Sequence, residues 1–117
     1  MTSWYTGNAN DDGEKYRGWL VGHFVAEGDI RTSDAVKVKW GVHPAGQDRP
    51  DGWSVGEMRF TAIILVTGRM RTELSDGGTA VLDRPGDYMV WGPGIDHTWR
   101  AEEDTVLITV RWPSLQN

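Results

Sequence analysis

The chain has 117 residues, a mass of 13.1 kDa, a formal net charge of −5, a pI near 5.0 and no cysteine. The acidic balance removes the positive field that attracts phosphate backbones, so neither nucleic acid nor an anionic membrane surface is expected as a partner. Without cysteine there is no disulfide framework and no thiolate site, so any metal must bind His, Asp or Glu. The N-terminus lacks the features of a secretory signal, and no apolar run approaches the ~18–20 residues that span a bilayer, which indicates a cytoplasmic protein.

The chain divides into a short polar arm and one folded domain. Residues 1–17 are rich in Gly, Asn and Asp and show no sustained period, so they are predicted to form a mobile arm or an extension that covers a sheet edge. Residues 18–117 are predicted to form a single domain, because they contain no internal repeat and no linker. This length is enough to bury a core without disulfides or metals as staples.

From Gly18 onward the sequence consists of short β-rich runs separated by turn residues, with no helical period over ten residues or more. The runs predict about eight strands, at 18–25, 35–42, 59–67, 69–74, 79–83, 87–91, 97–101 and 105–112. The turns between them contain Gly68, SDGG (75–78), RPGD (84–87) and GPG (92–94). This pattern is typical of an all-β sandwich, jelly roll or small barrel.

Two of these runs indicate how the strands face the core. The run 35–42 alternates two lysines with an apolar set, which predicts a half-buried strand whose apolar side consists of Val36, Val38, Trp40 and Val42. The run 59–67 is apolar on both faces, so it should lie centrally between layers or beneath a partner chain. The second alternative points to a homodimer.

The segment GDYMVWGPGIDHTW (86–99) contains two turns followed by a histidine. Gly86 permits a tight turn into one strand, Gly92-Pro93-Gly94 reverses the chain, and His97 begins the return strand with its ring able to face inward. This register resembles the second motif of cupins, G(X)5PXG(X)2H(X)3N, with the proline one place late and Ala101 at the asparagine position. The resemblance implies an all-β fold, a small cupin-type jelly-roll β-barrel of about eight antiparallel strands.

The first cupin motif, G(X)5HXH(X)3–4E(X)6G, supplies two His and one Glu as metal ligands in that family. Its closing glycine resembles Gly68, but its Glu position then falls on Thr61, and its HXH positions fall on Val55 and Glu57, or on Ser54 and Gly56 with the longer spacing. The usual ligand set is therefore not assembled in register. The resemblance leaves two alternatives, a divalent metal (Fe, Mn, Ni or Zn) on an altered set with His97 and Glu57, or no metal.

His97 and Glu57 are the predicted catalytic and metal-binding residues. A neutral imidazole is a common metal ligand and proton carrier, and the alternative for His97 is a core histidine satisfied by a carbonyl. In a regular strand Glu57 points to the same side as Thr61, so it can reach the same cavity as His97. The alternative is an exposed carboxylate paired with Arg59. If His97 makes the key ligand contact, binding should follow its protonation between about pH 5.5 and 7.5.

Four further residues are predicted to bind a ligand. Trp91 and Trp99 flank the GPG turn and His97, and their indoles can stack on a sugar or aromatic ligand, whereas ordinary core packing is the alternative. Arg111 would anchor a carboxylate or phosphate if it points inward, and would lie on a solvated face otherwise. His43 opens the loop HPAGQDRPDG and can reach over a barrel mouth, although surface loops commonly carry histidine. Trp40 and Trp112 are assigned to the core.

The resemblance implies a bacterial-type cupin that binds a small molecule beside His97. Cupins of this length include both metalloenzymes and modules without catalysis, so the resemblance leaves catalysis open. In the enzyme alternative His97 and Glu57 hold a divalent metal or transfer protons. A second alternative is a ligand-binding sensor in which the Trp-rich wall provides affinity. A third is an interaction module that mainly builds a homodimer.

Overall fold

The computed structural model describes residues 3–115. These residues contain the helix α1 (Ala9–Asp12) and the strands β1 (Trp19–Val21), β2 (Lys37–His43), β3 (Phe60–Thr67), β4 (Met70–Leu74), β5 (Thr79–Leu82), β6 (Tyr88–Trp91), β7 (His97–Ala101) and β8 (Thr105–Trp112). The prediction of an all-β fold with about eight strands is confirmed. No helix among the described residues is long and apolar enough to cross a membrane.

The strands form two antiparallel sheets that enclose the core. The larger sheet has the order β1-β2-β8-β3-β6 and the smaller one the order β5-β4-β7. The buried core joins Ile63, Leu65 and Leu107 of the larger sheet to Met70 and Ala101 of the smaller one. The sheets are therefore the two layers of a jelly roll, and hydrogen bonding does not close them into a continuous barrel.

Strand β3 occupies the central position that its two apolar faces predict, between β8 and β6. Thr61, Ile63 and Leu65 point to the interior and are at most 6% exposed. Phe60 and Ile64 point to the outer face, where 44% and 37% of their surfaces remain exposed. One face of β3 therefore builds the core, and the other is an apolar surface in a single chain.

The predicted burial of strand β2 is wrong about which face is inside. Val42 is 59% exposed on the outer side, whereas Lys39 lines the interior. The reason is the pairing with β8, since directly opposed residues in an antiparallel pair share a face and Lys39 is opposite the buried Thr109. A lysine therefore enters the space between the sheets.

The two tryptophans assigned to the core also lie on the outer side of the larger sheet. Trp40 is half-buried there, and its indole Nε1 donates to Asn10 Oδ1 at 3.0 Å. Trp112 is 36% exposed and stacks on Phe60 with a ring separation of 5.5 Å. Asn10 belongs to α1, so part of the N-terminal segment covers β2. The division of the chain into an arm and a domain after residue 17 stays a prediction.

Candidate functional site

His97 begins β7, directly after the turn at Gly94, whose φ of +87° is one that glycine adopts without strain. The turn directs the imidazole into the space between the sheets, where the residue is 3% exposed. Its ring lies 4.9 Å from the ring of Trp91, with the two planes tilted by 45°. Gly94 and the tight pairing of β4 with β7 thus place His97 at the inner surface of the smaller sheet.

Two polar residues that sequence reasoning did not identify hold His97 in position. Ser54 Oγ accepts a hydrogen bond from the backbone N–H of His97 at 2.9 Å, and the N–H of Ser54 donates to the carbonyl of His97 at 2.8 Å. Asp96 accepts from Ser54 Oγ at 3.1 Å and from the N–H of Glu57 at 3.0 Å. The N–H bond from Glu57 is the main reason that the pKa of Asp96 lies below its ordinary value. Segment 54–57 is therefore fastened to the start of β7.

A cavity of about 50 Å³ lies beside His97, between the two sheets. A cavity of this size takes a few waters or a small ligand group. The residues that line it are Lys39, His43, Thr61, Ile63, Met70, Thr72, Trp91, His97, Trp99, Leu107, Thr109 and Arg111. The structure thus brings five predicted site residues together here, namely His97, Trp91, Trp99, Arg111 and His43.

The residues around the cavity carry several buried polar atoms without partners. Within the described part of the chain, the buried side-chain nitrogen and oxygen atoms that lack a hydrogen bond are Thr61 Oγ1, Thr72 Oγ1, Trp91 Nε1, His97 Nδ1 and Arg111 Nε. All five belong to residues that line this cavity. A buried unpaired polar group costs about 1–3 kcal/mol, so atoms clustered in this way indicate a place where a polar ligand or water completes the hydrogen bonds.

The charges around the cavity are mainly positive. Lys39 and Arg111 line it, and its lining includes no carboxylate. Burial lowers the pKa of Arg111 to about 10, and burial and then Arg111 lower the pKa of Lys39. Lys37, on the same face of β2, has its pKa lowered to about 8 by burial, with Arg59 and Arg111 adding to the effect. A group of cations that lower one another's pKa favours an anion.

Trp19 on β1 is a further residue that sequence reasoning did not find at this site. Lys37 Nζ lies 4.2 Å from the centre of its ring, Arg111 Cζ lies 5.4 Å away, and Lys39 Nζ lies 5.5 Å away. The negative face of the indole partly stabilises these three cations. No motif marks such a residue in the sequence, because Trp19 reaches this site only through the pairing of β1 with β2.

Glu57 lies inside the protein but does not line the cavity. Its side chain is buried, and Oε1 accepts from Arg59 Nε at 2.9 Å and Nη2 at 2.8 Å. Arg59 also donates through Nη1 to the carbonyl of Ser114 at 3.0 Å. The strand parity behind this prediction does not apply, because Glu57 precedes β3 and Val55, of the same parity, is 89% exposed. The prediction that Glu57 enters the cavity of His97 is therefore wrong, and its pairing with Arg59 occurs in the interior rather than at an exposed rim.

His97 is neutral over the pH range in which sequence reasoning expects it to titrate. Burial lowers its pKa to about 4, and the nearby charges of Arg111 and Arg49 act in the same direction. In the protein without ligand, His97 therefore titrates below the expected window of about pH 5.5 to 7.5, and the pH dependence of ligand binding stays a prediction. A neutral ring with an unpaired Nδ1 can accept or donate one hydrogen bond in the cavity, according to its tautomer.

A larger groove of about 410 Å³ adjoins the cavity. Both spaces share Lys39, His43 and Trp99 in their walls, and the groove extends toward Arg17 of the N-terminal segment and Pro50 of the loop after β2. The ring of His43 lies 4.5 Å from that of Trp99, and His43 Nδ1 is 2.8 Å from Gln47 Oε1. His43 and Trp99 thus form the wall between a small polar cavity and a larger groove.

The donor set does not fit the predicted divalent metal. The described residues contain no group of three or more His, Cys, Asp or Glu side chains placed to hold a metal ion. Glu57 is paired with Arg59, and the charges that line the cavity beside His97 are those of Lys39 and Arg111, which repel a cation.

No protein-family model matches the sequence, and no curated protein matches it. The chain is similar to solved structures. KdgF of Halomonas sp. is 23% identical with a TM-score of 0.60, and the match covers 69% of this chain and 72% of that one. A cupin protein of Bacteroides fragilis is 16% identical with a TM-score of 0.58, and the match covers 71% of each chain.

DMSP lyase DddQ of Ruegeria pomeroyi is 20% identical with a TM-score of 0.59, and the match covers 75% of this chain and 43% of that one. The chain therefore has the cupin fold, as the motif around His97 predicts. The proteins with this fold include an enzyme as well as an uncharacterised protein of Klebsiella pneumoniae. The fold alone thus leaves the activity open.

Proposed function

We propose that the protein binds a small anionic molecule, with a carboxylate in the cavity and the remainder of the molecule in the adjoining groove. The observation that supports this function is the cluster of five unpaired polar atoms beside two lining cations. A carboxylate accepts hydrogen bonds from Arg111 Nε and Trp91 Nε1, and it compensates the charges of Arg111 and Lys39. A carboxylate as small as acetate suits a cavity of about 50 Å³.

The groove suggests what the rest of the ligand contains. Trp99 and His43 present two rings where the cavity meets the groove, and Pro50 adds a further apolar surface. Such a wall favours a flat ring, either aromatic or the apolar face of a sugar. The proposed ligand class is therefore a small ring-bearing carboxylic acid.

Calorimetric titration with acetate and phenylacetate tests this function. We expect both acids to bind, phenylacetate more tightly, and Arg111→Met to weaken both by at least about tenfold, since a charged hydrogen bond contributes about 1.5–3 kcal/mol. Arg71→Met is the matched control, because Arg71 is half-exposed on the outer side of β4 and pairs with Glu73. Equal affinity of the wild type and Arg111→Met for both acids would exclude the proposed anion site.

A catalytic version of the same site rests on His97. Its Nδ1 is buried and unpaired on a residue that lines the cavity, so the neutral ring is placed to accept a proton from the carbon atom beside the bound carboxylate, while the electron pair stays on the ligand as an enolate that Arg111 and Lys39 stabilise. The test is exchange of the carbon-bound protons of phenylacetate in D₂O, followed by NMR. An enzyme is supported if the wild type exchanges these protons and His97→Gln binds phenylacetate without exchanging them. If the wild type shows no exchange, the non-catalytic alternative is supported. The predicted bacterial origin, cytoplasmic location and homodimer stay predictions.

A further inference from the structure

Lys39 brings a primary amine to the boundary between the cavity and the groove. The chain contains three lysines, and Lys39 lines both of these spaces, whereas Lys15 and Lys37 line neither. In the pairing of β2 with β8, Lys39 lies opposite Thr109, so Arg111 is its diagonal neighbour on the same face. Diagonal neighbours in a sheet are ~7–8 Å apart, which long side chains can span. The amine of Lys39 therefore belongs to the same site as Arg111.

The ammonium group of Lys39 has no polar partner. Within the described part of the chain it forms neither a hydrogen bond nor an ion pair, and its recorded contact is with the ring of Trp19, at 5.5 Å from Nζ to the ring centre. Burial lowers the pKa of Lys39, and the charges of Arg111 and Arg49 lower it further. A larger fraction of Lys39 is thus the neutral amine, which is the nucleophilic form of lysine.

The proposed ligand would place a particular carbon atom beside this amine. With its carboxylate in the cavity and its ring in the groove, the ligand must pass the boundary that Lys39 lines. We propose that Lys39 forms an imine with a ketone on the carbon next to the carboxylate, so that the ligand is a ring-bearing 2-oxo acid. This inference rests on the proposed function, because Arg111 must hold the carboxylate for the ketone to lie beside Lys39.

The reaction balances without a cofactor or an oxidant. The Lys39 nitrogen attacks the ketone carbon, a C–N bond forms, and the C–O bond of the ketone breaks. Of the three protons of the ammonium form, two leave with the ketone oxygen as water and one stays on the nitrogen of the protonated imine. The product carries the same positive charge as the ammonium group, so it still compensates the carboxylate. The unpaired hydroxyls of Thr61 and Thr72 offer hydrogen bonds to the released water.

A purely electrostatic role is the alternative for Lys39, and Lys39→Arg distinguishes the two roles. Arginine keeps the positive charge, but its guanidinium stays protonated and does not attack a ketone. The variant should therefore bind phenylacetate, which has the carboxylate and the ring but no ketone. It should not form an imine with phenylpyruvate, which has all three groups.

Reductive trapping tests the inference. The wild type is incubated with phenylpyruvate and sodium cyanoborohydride, which reduces an imine to a stable secondary amine, and mass spectrometry of the intact chain and its peptides locates the adduct. We expect one adduct per chain at Lys39, formed at least about tenfold faster than at Lys15, because each unit by which a pKa is lowered raises the neutral fraction about tenfold and binding adds proximity. Lys39→Arg should lose this adduct. Lys15→Arg is the matched control and should keep it, since Lys15 is exposed and lines neither space.

Competition in the wild type gives a second test that needs no variant. Saturating phenylacetate should block the labelling of Lys39 by phenylpyruvate and leave that of Lys15 unchanged. Calorimetry with phenylacetate measures the anion site independently of the imine. A protein that binds phenylacetate but forms no adduct at Lys39, or that labels Lys39 and Lys15 at equal rates, would overturn this inference and leave the proposed function standing. A protein that neither binds phenylacetate nor forms the adduct would overturn both.

Discussion

The rings of Trp91 and His97 lie 4.9 Å apart across the gap between the two sheets, and each has a buried nitrogen without a hydrogen-bond partner. Trp91 is 5% and His97 3% exposed, so neither nitrogen is satisfied by bulk water. The pair thus combines close packing with unused hydrogen-bonding capacity. This combination distinguishes a ligand site from an ordinary core, in which polar groups are paired.

The first prediction concerns stability against pH. The pKa of His97 is about 4 in the folded protein and 6.5 in an unfolded chain. Above pH 6.5 the ring is neutral in both states, but between pH 6.5 and pH 4 only the unfolded chain takes up the proton. The free energy of unfolding should therefore fall as the pH drops through this window, by up to about 3 kcal/mol at 1.36 kcal/mol per pKa unit.

Urea unfolding at pH 7 and pH 4.5 measures this effect, with His97→Phe as the comparison because it removes the titrating group from the same site. The loss of stability at pH 4.5 should be smaller in the variant than in the wild type. Equal losses in both proteins would mean that His97 titrates normally and is not desolvated as the structure indicates.

The second prediction concerns the response of His97 to a bound anion. A carboxylate beside the ring counteracts Arg111 and stabilises the imidazolium, so acetate should raise the pKa of His97 from about 4 toward its ordinary value. By linkage, acetate should bind more tightly as the pH falls from 6.5 to about 5, and this gain ends in the ordinary carboxyl range of ~4–5, where acetate itself takes up a proton. NMR titration of the imidazole with and without acetate measures the shift directly. A pKa that acetate leaves unchanged would show that the anion binds away from His97.

The third prediction concerns a buried hydroxyl. Thr72 is 1% exposed and its Oγ1 has no partner, so Thr72→Val replaces an unsatisfied group by a methyl of nearly the same shape. The free energy of unfolding without ligand should rise by about 1 kcal/mol, and the affinity for acetate should fall. Thr105→Val is the control, since Thr105 is equally buried but its Oγ1 accepts from the N–H of Arg69 at 3.1 Å. That variant should be less stable than the wild type, and chemical denaturation of both decides the comparison.

Much of the strand pattern could be predicted because its signals are local. The bounds of β7 and β8 agree with the predicted runs 97–101 and 105–112, where turn residues and β-branched side chains adjoin. The face of β2 could not be predicted in this way. Polarity marks the inside of a sheet only when its outside is polar, and β2 carries apolar residues such as Val42 on its outer side.

The part of the candidate site that could be predicted from the sequence is the part fixed by the spacing of residues around His97. Trp91 and Trp99 line the cavity as their distance from the GPG turn predicts. Lys39 and Thr72 could not be found, because they enter the cavity through pairing between strands distant in sequence. Glu57 could reach the cavity or pair with Arg59, and the sequence spacing permits both. The structure shows the ion pair with Arg59.

The last prediction concerns metal. His97 is a single imidazole ligand among cations, and Glu57 would have to leave Arg59 in order to reach a metal ion. A divalent metal site needs several ligands of the right charge, so protein purified without a His tag should contain well below one metal ion per chain. Adding Zn²⁺, Ni²⁺ or Mn²⁺ should not raise the unfolding temperature, because a ligand stabilises only a folded state that binds it. Elemental analysis and thermal unfolding check both expectations. This prediction is contradicted if the wild type contains one metal ion per chain and this metal is lost in His97→Ala but retained in His23→Ala. His23→Ala is the control because His23 lies away from the cavity, beside Ser114.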